Sequence, residues 1–220
     1  MEIAAKGNQT GQTLIETVVA IFILITGVVS ALALAKYSFR YTDASSKQIF
    51  ATALARQSME AVKNMRDTNW LDDTLVDCSA EFSQAAGNQY CYNNWLSKTY
   101  VLGSASAGKA GVNYAVDYSP ATNSWNLAAS PLNYILYYDP STGNYSNVKT
   151  SGAMASIYSR MVNIVQDFSA PFNIANNPRL VVTTTVWWYD QHCPQTSNPA
   201  TLLPSCKIIL QMYLTNWRDY

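Results

Sequence analysis

Two successive patterns of apolar residues occupy the first third of the chain. Residues 17–35 contain no charge, and at about 1.5 Å per helical residue such a run matches a bilayer core of about 30 Å. Further on, apolar residues recur at intervals of three and four, as at Ala51, Ala55 and Val62, which is typical of an amphipathic helix. The pattern predicts one helix over about residues 13–66, whose first half spans a membrane and whose second half packs on a globular head.

Beyond residue 111 the apolar pattern changes to a period of two. Residues 112–118 alternate, and DPSTG at 139–143 lies between two short apolar runs, which is a hairpin signature. Three later runs are rich in β-branched and aromatic residues, at 157–165, 179–189 and 207–217. In the last run Ile208, Leu210, Met212 and Leu214 share one face, and Lys207, Gln211 and Thr215 share the other. The predicted fold class is therefore α+β, with the second half of the helix packed against an antiparallel sheet.

Length and composition limit the organisation of the chain. With 220 residues, there is room for one soluble domain after the membrane segment. Acidic and basic residues number 14 each, so nothing indicates nucleic-acid binding. The apolar patterns place a membrane helix up to residue 35, an amphipathic extension at 36–66 and a globular head at 67–220.

Four cysteines lie at Cys78, Cys91, Cys193 and Cys206, and three pairings are formally possible. The two local separations are both 13 positions, so local pairing would close two short loops, each worth about 3 kcal/mol in the chain-entropy picture. That pairing requires an oxidising compartment. The alternative is a zinc site of four thiols, with or without His192, but no C-x-x-C knuckle is present.

The apolar run begins with an acid. The residues Gly11-Gln12-Thr13-Leu14-Ile15-Glu16 precede it, and an ionised carboxylate in hydrocarbon costs several kcal/mol unless a partner neutralises it. This combination resembles the processing site of type IV prepilins and the related pseudopilins. The C-terminal strands, with VTTTVWW and a closing LTNWR, resemble the pilin sheet more weakly.

The resemblance implies a role for three residues. A prepilin peptidase would cut between Gly11 and Gln12, which would leave a leader peptide at 1–11 and a transmembrane or filament-core helix at 12–35. Gln12 would become the methylated N-terminus, and Glu16 would pair with the N-terminal amine of a neighbouring subunit. The family usually has Phe or Met as its first mature residue, whereas this chain has Gln12. The alternatives are a plain single-pass anchor and a secretory signal peptide, although the apolar run is too long for the latter.

Small residues recur every four positions within the apolar run, at Gly27, Ala31 and Ala35. They would form a ridge on which another helix can approach closely. The alternative is that small residues are simply common in membrane helices.

Residues for catalysis are few. The single His192 adjoins Cys193, so no nucleophilic triad can be assembled, and no phosphate loop or metalloprotease motif occurs. Asp139 could begin a calcium loop, but the further carboxylates are missing and a plain turn is favoured. We expect no enzyme activity, no cofactor and no metal. Exposed Trp and Tyr could bind sugar if they cluster, although most are expected in the core.

The function expected from the resemblance is that of a filament subunit, a minor one, of a type IV pilus or a type II secretion pseudopilus. Its partners would be other pilin or pseudopilin subunits, the prepilin peptidase and the membrane, which it crosses once before assembly. It would reside in the bacterial inner membrane with its head outside, and then in an extracellular or periplasmic filament. The alternative is a membrane-anchored extracellular binding domain of adhesin type.

Overall fold

The computed structural model describes residues 10–71, 100, 102, 111–119, 122–129, 131, 133–167 and 179–215. Its N-terminal element is a single helix, α1 (Thr10–Leu71), of 62 residues. The prediction of one helix is confirmed, and the helix continues past its predicted end at residue 66. The chain forms two compact units, Met1–Lys47 and Gln48–Tyr220, so α1 from Gln48 onwards belongs to the same unit as the sheet.

The described residues form one antiparallel sheet of seven strands. In chain order these are β1 (Val112–Ser119), β2 (Ser124–Ala129), β3 (Ile135–Asp139), β4 (Asn144–Ser146), β5 (Met154–Asp167), β6 (Arg179–Trp188) and β7 (Lys207–Thr215). The α+β prediction is confirmed. Strand β2 has no counterpart among the predicted strands, because its sequence SWNLAA is short and ends in two alanines that favour neither period.

The two edges of β5 are used differently. One edge pairs with β6 over residues 158–167, and β6 pairs in turn with β7. The other edge is shared, because β1 pairs with residues 162–164 and β3 with residues 154–159. Beyond β5 the sheet therefore divides into two branches, one made of β1 and β2 and the other of β3 and β4.

Arg160 lies on β5 between the segments that the two branches use, and only 1% of it is exposed. Its backbone N–H donates to Tyr134 O at 2.9 Å, next to β3. Its Nη2 donates to Val116 O on β1 at 2.6 Å, and its Nη1 donates to Gln57 Oε1 on α1 at 2.9 Å. Val116 lies past the last residue of β1 that pairs with β5. The guanidinium thus supplies a donor where the strand ladder has ended and joins the first branch to the helix. The backbone N–H of the same residue reaches the second branch.

The core lies between the inner face of the sheet and one face of α1. Ala61, Val62 and Met65 of the helix are buried against β1, β5, β6 and β7. A second cluster surrounds Ala51 and Ala55 and includes the two tryptophans of β6. On β7 the predicted alternation is confirmed: the even-numbered residues pack on these clusters and the odd-numbered Ile209 and Tyr213 are exposed. The buried side of the sheet covers the second half of the helix, as predicted.

Two local features of the head match the sequence. Cys193 and Cys206 form a disulfide across the loop between β6 and β7, with their Cα atoms 5.6 Å apart. This pairing confirms half of the disulfide prediction and commits two of the four thiols that the zinc alternative needs. The predicted pair of Cys78 and Cys91 lies outside the described residues.

The segment 139–143 is a tight turn. Gly143 N donates to Asp139 O at 2.8 Å, and Gly143 has a φ of 72°. Asp139 Oδ1 accepts from Ser141 N and Ser141 Oγ at 2.9 and 2.6 Å. These bonds lower the pKa of Asp139 below its ordinary value. The hairpin prediction is confirmed, and the carboxylate holds its own turn.

Candidate functional site

The apolar part of α1 is exposed on every side within this chain. Large apolar side chains all round the helix are more than half exposed, among them Leu14, Phe22, Leu24 and Leu34. This is one helix long and apolar enough to cross a membrane, with an 18-residue window of mean hydropathy 2.8. A helix that is apolar on all faces requires lipid or other protein around it.

The hydroxyl groups in this segment are satisfied by the helix itself. Thr17 Oγ1 donates to Leu14 O at 2.9 Å, Thr26 Oγ1 to Ile23 O at 2.9 Å, and Ser30 Oγ to Thr26 O at 2.7 Å. In a medium without water an unpaired hydroxyl is costly. These bonds allow the threonine and serine side chains to face hydrocarbon.

Glu16 lies near the start of this surface, and its side chain is exposed. Among the residues that the structure describes, no cation forms an ion pair with it. A carboxylate at this place is solvated only while the helix end is in water. When the helix is in lipid or packed against other helices, Glu16 needs a positive partner from another molecule.

The predicted packing residues Gly27, Ala31 and Ala35 are also exposed. A Cβ added to Gly27 would meet nothing within 4 Å. The side chains of this ridge are therefore uncovered in the described part of the chain.

The predicted cleavage point lies at the start of the described chain. Gly11 and Gln12 are part of α1, and the rest of the predicted leader, residues 1–9, lies outside the described residues. The structure places Gln12 about one helical turn before Glu16, since a turn has 3.6 residues.

The apolar surface ends in a polar and aromatic belt that the sequence reasoning missed. Tyr37, Phe39 and Tyr41 are all more than 60% exposed, and Lys36 and Arg40 alternate with them. Aromatic and basic side chains of this kind favour the boundary between membrane and water. The signal was present in the sequence KYSFRY directly after the apolar run.

Comparisons of the chain with protein-family models, with curated proteins and with solved structures found no match. Function is therefore inferred from the residues and their geometry.

Proposed function

We propose that this protein is a subunit of a helical filament of the type IV pilus or type II secretion pseudopilus class, with a minor role in that filament. The observation that carries the proposal is the apolar surface of α1, exposed on every side and headed by Glu16. In this proposal the chain spans the inner membrane once, is cut after Gly11, and then leaves the lipid to pack with the helices of other subunits.

Both environments suit the same helix. In the membrane the exposed apolar side chains face lipid, and in a filament they face the equivalent side chains of neighbours. Glu16 distinguishes the two. A carboxylate at the centre of a membrane helix costs roughly 2.5–3.5 kcal/mol on insertion scales, which is an upper bound for Glu16 at the head of the run. A cut chain offers a new α-amino group that can pair with it. Pairing in the filament removes the free-energy cost of placing the Glu16 carboxylate in lipid, so this residue favours assembly over the membrane-bound state.

The proposed partners follow from the same surface. They are other pilin-like subunits along α1, a prepilin peptidase at the bond between Gly11 and Gln12, and the membrane before assembly. The unit Gln48–Tyr220, which contains the sheet, would face the outside of the cell, consistent with its Cys193–Cys206 disulfide. The role is structural rather than catalytic.

The test is Glu16→Gln, expressed in cells that lack the unchanged copy. Membrane insertion, processing and head folding should persist, while the amount in sheared filaments falls at least about tenfold, the effect of about 1.4 kcal/mol. Glu16→Val should behave in the same way. Glu60→Gln is the matched control, because Glu60 is exposed on the same helix and pairs only weakly with Lys63, at 3.9 Å. If both Glu16 variants enter filaments at the unchanged level, the assembly role is wrong.

Cleavage separates this proposal from a plain membrane anchor. The mature protein should begin at Gln12 by intact mass, and Gly11→Val should leave the leader attached and keep the chain out of filaments. An anchored binding domain would keep residues 1–11 in both proteins, so that their masses differ only by the substitution, and it would give no filament fraction.

A further inference from the structure

The division of the sheet leaves a groove between its two branches. It is open to solvent and has a volume of about 560 Å³, within the range of roughly 300–1,000 Å³ that small-molecule sites occupy. One wall comes from β1 and β2, the other from β3, β4 and the loop after β4, and Gln57 of α1 also lines it. Arg160 lies on β5 where the two branches part, and its guanidinium binds Gln57 and the first branch.

Aromatic rings stand on both walls. Tyr118 and Trp125 face each other across β1 and β2, with ring centroids 5.2 Å apart. On the opposite wall Tyr137 and Tyr145 line the groove. The Tyr145 ring lies 5.3 Å from Phe50, and the Tyr118 hydroxyl donates to Asn123. These contacts fix the positions of the Tyr118, Trp125 and Tyr145 rings before any ligand binds. Little side-chain entropy is therefore lost when a ligand binds.

Each branch also contributes a matched polar pair. Asp117 is directly opposite Asn126 in the first branch, and Asp139 is directly opposite Asn144 in the second. All four residues line the groove. Asp117 Oδ1 is buried and has no hydrogen-bond partner among the described residues. A ligand hydroxyl that reached this oxygen would give it the donor that it lacks.

We propose that this groove binds a neutral carbohydrate, a short oligosaccharide. A sugar hydroxyl both donates and accepts, so it can donate to a carboxylate and accept from an amide of the same Asp–Asn pair. The aromatic rings present apolar faces to the C–H faces of the sugar rings. This function goes beyond filament assembly, because none of the lining residues belongs to the apolar part of α1.

The chemistry of the lining favours a sugar over an organic cation. Two carboxylates beside aromatic rings would also attract a cation. However, the amides of Gln57, Asn126 and Asn144 add N–H donors, which a cation cannot use. Gln57 Oε1 already accepts from Arg160, so its amide nitrogen is the end that can serve a ligand. Donors and acceptors together match hydroxyl groups.

The test uses the full chain in a polyethylene-glycol ether detergent, which has neither a sugar nor a choline head group. The probes are cellotriose, maltotriose, triacetylchitotriose and a β-galactotriose, titrated by tryptophan fluorescence and by saturation-transfer NMR. At least one should bind with a Kd below about 10 mM. Trp125→Ala should weaken that binding about tenfold, through loss of a stacking surface.

Trp125 also packs against the core, so its replacement could weaken binding by destabilising the fold. A second variant therefore changes only residues outside the core. Asn126→Ala combined with Asn144→Ala changes only exposed side chains and should weaken binding by a similar factor. Tyr189→Ala and Asn64→Ala are the matched controls, since both residues are exposed and lie outside the groove. Both should bind within about twofold of the unchanged protein.

Three outcomes would overturn the proposal. The first is that no probe binds up to about 10 mM. The second is that binding occurs but the groove variants and the controls weaken it equally. The third is that tetramethylammonium binds, is lost in Asp117→Asn, and the sugars do not bind, which would make the groove a cation site. Filament incorporation of the groove variants should be unchanged, so failure here is distinguishable from failure of the assembly proposal.

Discussion

Arg160 offers the sharpest test of how the head is held together, by the substitution Arg160→Met. Methionine fills a similar length without charge. The substitution removes the bonds from Nη1 to Gln57 Oε1 at 2.9 Å and from Nη2 to Val116 O at 2.6 Å. Hydrogen bonds from a charged donor are worth about 1.5–3 kcal/mol each, so the loss is about 3–6 kcal/mol.

The same substitution also removes a cost. Burial lowers the pKa of Arg160 from its ordinary value to about 10, and the nearby Asp117 offsets only part of this effect. A shift of that size corresponds to roughly 3 kcal/mol by which the fold disfavours the charged side chain, which nevertheless stays protonated at neutral pH. The difference between the two effects leaves Arg160→Met less stable by up to about 3 kcal/mol. Arg160→Ala should lose more, about 3–5 kcal/mol, because it also opens a cavity.

The assay is urea unfolding of the full chain in detergent, followed by tryptophan fluorescence. Arg56→Met is the matched control, because Arg56 is an exposed arginine on α1 and its loss should change stability by less than about 0.5 kcal/mol. Amide hydrogen exchange gives a second readout: β1 should exchange faster in Arg160→Met, because its Val116 O loses the guanidinium donor. Exchange in β3 should change less, because the backbone N–H of residue 160 that binds Tyr134 O is kept. If β1 exchanges at the unchanged rate and Arg160→Ala is as stable as the unchanged protein, the guanidinium does not hold the first branch and the reasoning is refuted.

Further predictions concern the disulfides, a glycine and a turn. Replacing Cys193 and Cys206 together by alanine should lower the free energy of unfolding by about 3 kcal/mol. The reason is that the disulfide, whose cysteines are 13 positions apart, no longer restricts the unfolded chain. A decrease below about 1 kcal/mol, measured by urea unfolding, would contradict this. Peptide mapping without reduction should link Cys78 to Cys91, and a link from either to Cys193 or Cys206 would show the local pairing to be wrong. Gly111→Ala should lower the melting temperature more than Gly152→Ala, although both glycines have a positive φ. A Cβ at position 111 would meet Val165 Cγ2 at 2.5 Å and Ile164 O at 2.8 Å, whereas a Cβ at position 152 would meet nothing within 4 Å. Equal decreases in melting temperature would show that the close contact at position 111 does not matter. Because the pKa of Asp139 is lowered in the fold, its turn contributes stability above the ordinary pKa and loses it as pH falls through the folded-state pKa. Measured by urea unfolding, the free energy of unfolding of the unchanged protein should therefore fall more steeply below about pH 4 than that of Asp139→Asn. Parallel pH profiles for the two proteins would show that the Asp139 carboxylate does not stabilise its turn.

Much of the fold was predictable because its signals are local. The helix follows from an uncharged run joined to a 3.6-residue period, and both signals lie in contiguous residues. The strands β5, β6 and β7 follow from their β-branched runs, and the inward face of β7 from its alternation. The Cys193–Cys206 disulfide followed from a short separation. The surface around Glu16 was also predictable, since an acid at the head of an apolar run needs no tertiary structure to be recognised.

Arg160 shows what local patterns miss. It has the same parity as Tyr158, Val162 and Ile164, which all point to the core. That parity predicts an inward arginine, but not which carbonyl groups would receive it. Its partners Gln57 and Val116 are 103 and 44 residues away in the chain. Only the folded chain brings them together.

By itself, the sequence determined the long helix, its uncovered apolar surface with Glu16 at the head, and most of the strands. The tertiary structure alone decided that β5 shares one edge between two branches and that Arg160 lies where they part. It also decided that four aromatic residues and two Asp–Asn pairs line a common groove. The physical reason is the range of the interactions. Helix periodicity and strand alternation are set within a few residues, whereas strand pairing and a groove between branches depend on which distant segments meet.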